Sequence, residues 1–184
     1  MDVYKIDMTN SNTHRLTVSN NSESPMYVRM VNSGKPLPDP QPSYNRGLSL
    51  KVAYVDADNK AIKPRDIKLG TDFKAIVTVK NTTKLGLDYR DLALNHTIPS
   101  GWEIQNIRVG NIKAGDNSKF DFQDIRDDRV YTFFDLKAGE TKKFTVPLTA
   151  AYAGRFFLPN VQCGAMYDDE IDASVQGDWI EVIR

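Results

Sequence analysis

The stretch Gly47-Leu-Ser-Leu-Lys-Val-Ala-Tyr-Val55 changes hydropathy at nearly every step, with Leu48, Leu50, Val52 and Tyr54 at alternate positions. Only an extended strand, whose side chains point alternately to opposite faces, gathers those four onto one surface. The same period of two returns along the chain. It places Phe73, Ala75, Val77 and Val79 inward in Phe73–Lys80, and Phe144, Val146, Leu148 and Ala150 inward in Lys142–Ala150. Leu87–Thr97, Arg129–Leu136 and Trp179–Ile183 repeat it, while helical periodicity is almost absent. Turn-forming clusters at Asp56–Lys60, Pro99–Trp102 and Lys137–Glu140 separate these runs. About nine or ten short strands spaced by such turns predict an all-β chain folded as an antiparallel β-sandwich.

The flanks are less regular. His14–Val18 and Met26–Val31 read as a hairpin turning at Asn21-Ser22. Ser33–Pro42 follows, with Pro36, Pro38, Pro40 and Pro42, which forbid a helix and cannot supply a sheet ladder. It reads as an extended arm, with an interdomain linker as the alternative. Trp102–Ile107 fits a short strand, Gly110–Ser118 an irregular segment, and Pro147 an edge or bulge. The expectation is one domain over 1–184: a hairpin and arm at 1–42 leading into a main sandwich at 43–184. A chain that starts so abruptly in strand-like sequence is also expected to be a piece of a larger protein.

Charge excludes several partner classes. Lys+Arg and Asp+Glu both number 24 and are interleaved, so nothing draws the chain to nucleic acid. No apolar run approaches the ~20 residues of a membrane helix, so direct membrane insertion is not expected. The single Cys163 can form no intramolecular disulfide, and its strand-like setting reads as a small core residue.

Catalytic and metal chemistry find little to stand on. The two histidines, His14 and His96, lie far apart in sequence, and Ser100 sits in a turn without a nucleophile elbow. Asp56, Asp58 and Asn59 resemble the start of a calcium loop, yet Ala61 and Ile67 stand where the loop needs Gly and Glu, so a hairpin turn is expected. Asp168, Asp169, Glu170 and Asp172 read as a solvated acidic loop, with calcium binding as the alternative. Asp124–Arg129 mixes signs and reads as a self-paired turn. The reading therefore calls for no enzyme activity, no cofactor and no metal. Tyr152–Ile171 stands apart: a buried strand running out into that acidic loop, with Met166 and Tyr167 presented at its tip.

Taken together, Ile125-Arg-Asp-Asp-Arg-Val-Tyr-Thr-Phe-Phe-Asp-Leu136, Ala153-Gly-Arg-Phe-Phe-Leu-Pro159 and Ala165-Met-Tyr-Asp168 resemble the C-terminal macroglobulin-like domain of bacterial alpha-2-macroglobulins. Ile98-Pro-Ser-Gly-Trp-Glu-Ile104 is similar to that family's Leu-Pro-Ala-Gly-type turn, and Asn45–Leu50 after Gly34–Pro38 fits as well. The resemblance runs from about Thr13 to the C-terminus and implies a macroglobulin-like, immunoglobulin-like sandwich. It implies a periplasmic or cell-envelope protease trap, whose partners are its own neighbouring domains and the proteases it entangles. Many members couple to the attacker through a Cys-x-x-Gln thioester; here Met166 follows Cys163 at the third position, so this chain cannot form that ring. In thioester-bearing members the last domain covers the reactive bond, and the resemblance assigns that contact to Met166 and Tyr167. The alternatives are that both side chains pack against their own domain, and that the chain is an adhesion or carbohydrate-binding module.

Overall fold

Period-two runs become ladders wherever they find a partner strand. The computed structural model describes residues 17–29, 31, 41–105 and 118–184, and the chain divides into two compact units, Met1–Leu37 and Pro38–Arg184. In the first unit the expected turn is present: Asn20 Oδ1 accepts from the Ser22 amide at 3.1 Å, and Asn20 Nδ2 donates to the Ser24 carbonyl at 2.8 Å. The expected second strand is not. Residues 26–29 and 31 are irregular, with Met26, Tyr27, Val28 and Val31 exposed. Alternation without a packed face to bury leaves nothing to hold a strand. His14, and positions 33–40 of the Pro-rich arm, lie outside the described residues, as do positions 110–117.

The second unit carries thirteen strands among the described residues. They are β1 (Tyr44–Arg46), β2 (Leu48–Val55), β3 (Asp66–Lys68), β4 (Asp72–Asn81), β5 (Tyr89–Thr97), β6 (Trp102–Ile104) and β7 (Phe122–Ile125). Then follow β8 (Arg129–Leu136), β9 (Thr141–Ala150), β10 (Gly154–Leu158), β11 (Val161–Ala165), β12 (Asp168–Val175) and β13 (Asp178–Ile183). A six-stranded sheet has the order β1-β12-β11-β5-β8-β7, a four-stranded sheet β2-β4-β9-β6, and a three-stranded sheet β10-β13-β3. All named pairs are antiparallel except β13 with β3. The sandwich is thus as expected, with thirteen strands among the described residues where nine or ten were expected.

Two apolar clusters fill it. One gathers Leu48, Leu50, Val77, Val79, Leu92, Leu94, Phe134 and Phe144 from the six- and four-stranded sheets, with Cys163 among them. The Phe134 and Phe144 rings meet at 4.7 Å between centroids. The other surrounds Trp102, whose ring meets Phe73 at 4.8 Å and Tyr54 at 5.5 Å, both edge-on. Each fully buried large side chain of this kind contributes roughly 1.5–3 kcal/mol.

Pro147 corrects the edge-or-bulge expectation. It lies on the interior strand β9, opposite Lys74 of β4. Its carbonyl accepts from the Gln105 amide at 3.0 Å, and a strand residue's N–H position and C=O point the same way. The missing donor therefore faces the end of the short strand β6, where no β4 ladder bond is lost.

The acidic segment corrects a second expectation. Asp168–Asp172 is not a loop but the first part of β12, which pairs with β11. Between Gly164↔Asp172 and Ala165↔Asp168 the register shifts, so Asp169, Glu170 and Ile171 bulge from the ladder. Charged side chains obscured a strand whose other positions, Ala173 and Ser174, are buried.

Candidate functional site at a hairpin tip

Strands β11 and β12 are joined by two residues only, Met166 and Tyr167. Neither has a positive φ; among the described non-glycine residues only Asn59 and Asp91 do. The connection is therefore not one of the mirror-image turns that match strand twist without distortion, and the bulge at Asp169–Ile171 takes up the mismatch.

A second bulge holds the tip from the side. Strand β5 shifts register between Tyr89 and Leu92, with Asp91 in the left-handed region at φ 51°. Its amide donates to Asp135 Oδ1 at 3.0 Å, and its carbonyl accepts from the Met166 amide at 3.0 Å. The turn is thus tied to a neighbouring strand rather than left free. Its side chains project outward: Met166 is 52% and Tyr167 84% exposed. Within this chain they do not pack into their own core.

The far side of the hairpin is fixed by charge. Arg46 grips Asp172 through two parallel bonds, Nε to Oδ1 at 2.5 Å and Nη2 to Oδ2 at 2.7 Å. The Tyr44 hydroxyl donates to Oδ2 at 2.9 Å. The Arg46 hydrogen bond holds the Asp172 carboxyl below the usual carboxylate range, and partial burial, then the bond to Asp172, raises the Tyr44 phenol. Asp172 is therefore occupied, while Asp168 Oδ1 accepts from the Glu170 amide at 3.0 Å. Among the described residues, no group of three or more His, Cys, Asp or Glu is placed to hold a metal.

The remaining sequence candidates separate. Cys163 is buried, and burial pushes its thiol up to about 12, which removes it from nucleophilic chemistry at neutral pH. His96 lies near the end of β5, just before the Ile98–Trp102 turn, buried in the core, and neither ring nitrogen has a hydrogen-bond partner among the described residues. His14 lies outside the described residues. Asp56 closes its turn by accepting from the Asp58 and Lys60 amides at 3.0 and 2.8 Å, with Asn59 at φ 61°. In the Asp124–Arg129 turn, Arg126 pairs with Asp124 at 2.9 Å and Arg129 with Asp128 at 2.6 Å. Gly101, in the Ile98–Trp102 turn, has the Phe156 ring where a Cβ would stand. Sequence reasoning missed Asp91, because a bulge residue carries no periodic signal, and it used Arg46 only as part of a motif.

Comparison with known proteins gives this geometry a family. The model of the bacterial alpha-2-macroglobulin MG10 domain matches residues 47–170. The chain is 26% identical over 155 residues to the alpha-2-macroglobulin of Pasteurella multocida (strain Pm70), covering 84% of this chain and 8% of that protein. It is 23% identical over 177 residues to an alpha-2-macroglobulin homolog of Yersinia pestis, covering 84% of this chain and 9% of the other. It thus spans less than a tenth of the length of these relatives. Among solved structures, methylamine-reacted Salmonella alpha-2-macroglobulin superposes with a TM-score of 0.70 at 17% identity, over 82% of this chain and 10% of that one. The Escherichia coli protein spanning domain MG7 to the C-terminus gives 0.67 at 17% identity, over 77% and 24% respectively. At these identities the superpositions show the fold. The chain belongs to the bacterial alpha-2-macroglobulin family, and its sandwich is an MG10-type macroglobulin domain.

Proposed function

We propose that this chain is the non-catalytic C-terminal domain of a larger bacterial protease trap, and that its hairpin tip covers a reactive acyl bond carried by a neighbouring domain. The observation that carries this reading is the exposure of Met166 and Tyr167 on a turn whose backbone is fixed at Asp91. An exposed pair of large side chains on a rigid mount fits a contact made outside the domain. A thioester left in water hydrolyses, so a polarizable thioether and an aromatic ring laid over it slow that loss by excluding solvent. The Tyr167 hydroxyl adds a donor at the edge of the contact.

One solved relative supports the idea in kind: the Salmonella protein has been reacted with methylamine. A small primary amine is the type of nucleophile that opens a thioester. In this reading the partners are the thioester-bearing and macroglobulin-like domains of the same polypeptide. Proteases are targets of the whole protein, which works at the periplasmic face of the cell envelope. The adhesion or carbohydrate-binding alternative would use an exposed aromatic platform; one such ring, Trp179, already has the Arg155 guanidinium 4.8 Å from its centroid.

The test is made in the full-length protein. Met166→Ala with Tyr167→Ala speeds the spontaneous loss of methylamine incorporation, while the isolated chain neither inhibits nor retains a protease. Decay at the wild-type rate in the double variant would sink the shielding role.

A further inference from the structure

Strand β2 forms one edge of the four-stranded sheet, and its pairing with β4 sets which of its backbone groups look outward. Antiparallel partners exchange hydrogen bonds at every second pair. The Thr82 amide donates to the Gly47 carbonyl at 3.0 Å, which puts Ser49, Lys51 and Ala53 in the phase bonded to β4. Leu50, Val52 and Tyr54 therefore point their N–H and C=O groups away from the sheet. On that side the Leu50 amide donates to Asn45 Oδ1 at 3.2 Å, and the Tyr54 carbonyl accepts from the Ile62 amide at 2.9 Å. Val52, between them, has no hydrogen-bond partner for its outward amide or carbonyl among the described residues.

The sequence explains the gap. Ala61 stands opposite Val55 and Ile62 bonds to Tyr54, so the same register brings Pro64 opposite Val52. Proline has no N–H to offer, and the short ladder ends there. Beside the open edge lies a hollow of about 350 Å³, lined among others by Val52, Tyr54, Pro64, Pro159, Val161 and Val175. Its one lining carboxylate, Asp178, is engaged by Arg65. Val52 packs its side chain inward against the cluster around Leu50 and Val77. Residues directly opposite one another on paired strands send their side chains to the same face. A residue paired with Val52 therefore sends its own side chain inward, into the hollow. A charged group there would lose water and gain no partner, so the hollow suits an apolar side chain.

Two backbone hydrogen bonds and one buried side chain are too little to hold a separate molecule against the cost of immobilising it. A segment tethered in the same polypeptide meets the edge at high effective concentration, and this chain spans less than a tenth of the length of its relatives. We infer that β2 is completed at Val52 by an extended segment from another domain of the same polypeptide, whose apolar side chain fills the hollow beside Pro64. This takes from the proposed function only that the chain belongs to a larger protein; the hairpin tip plays no part in it.

The full-length protein with a compact alkyl diazirine side chain placed at Ala61, an exposed residue that lines the hollow, tests this by irradiation and peptide mapping. The expected cross-link joins Ala61 to a single segment of the same polypeptide outside residues 1–184, at an apolar residue. Cross-links confined to residues 1–184, or formed to a second copy or to a protease, overturn the assignment. Hydrogen exchange at the Val52 amide gives a second reading. Ala61→Trp fills the hollow and should speed that exchange about tenfold, the worth of one hydrogen bond, with the Val77 amide inside the sheet unchanged. Ala61→Leu, a smaller filler, should move it the same way. Val52 exchange equal in the wild type and both variants overturns the added strand. The decay of methylamine incorporation is read on variants of Met166 and Tyr167, so the shielding reading stands or falls separately.

Discussion

The Met166 amide donates to the Asp91 carbonyl at 3.0 Å, so the turn of one hairpin is held by the bulge of the strand beside it. Asp91 can present that carbonyl because its backbone sits at φ 51°, a region that Asp tolerates and β-branched residues do not. Asp91→Val should therefore cost about 1–3 kcal/mol in urea unfolding and speed hydrogen exchange at the Met166 amide. Asp91→Gly keeps the bulge and should leave that exchange close to wild type. Equal exchange in both variants and the wild type would remove the bulge from the account.

A second tight point sits between β12 and β13. A Cβ on Gly177 would lie 1.9 Å from the Leu158 carbonyl oxygen and 2.8 Å from the Pro159 carbonyl carbon, both backbone atoms that cannot turn aside. The Gly177 amide also donates to Asn160 Oδ1 at 2.9 Å, which fixes the approach. Gly177→Ala should destabilise the chain by roughly 2–4 kcal/mol in chemical denaturation. Gly86, which has open space at its Cβ position, offers a control: there Gly→Ala meets only the cost of its positive φ.

Acid should loosen the core through His96. Burial lowers its pKa from 6.5 to about 4, so the unfolded chain takes up a proton at a pH where the folded chain does not. Stability is then complete above about pH 6.5 and is lost as pH falls toward 4, by ~3 kcal/mol in all. Unfolding midpoints measured at pH 7 and pH 5 should show the decline, and His96→Leu should flatten it. A slope unchanged by His96→Leu assigns the effect to other groups.

Much of this was legible in the residues. Strands β2, β4 and β8 bury mainly alternate residues, and period two marks them directly; β9 shows the same period in its apolar residues although 144–148 are all buried. Short edge strands such as β1 and β7 carry too few residues for a period to show. The acidic part of β12 was hidden because its ladder is set by long-range pairing, with Arg46 bonded to a carboxylate 126 residues away. Met26–Val31 misled in the opposite sense: alternation is present, but Met26, Val28 and Val31 are exposed and in no sheet. Met166 and Tyr167 were found through the motif around them, whereas their anchor at Asp91 arises only when β5 and β11 lie side by side.

Shielding by Tyr167 in the full-length protein is read from the decay of methylamine incorporation measured on single variants at that position. Tyr167→Gly removes the ring and should speed the decay markedly, whereas Tyr167→Phe keeps the ring, loses the hydroxyl and should stay near wild type if solvent exclusion dominates. The same decay rate in wild type and Tyr167→Gly would show that the tip shields nothing, because the reactive bond would be lost as fast with the ring as without it.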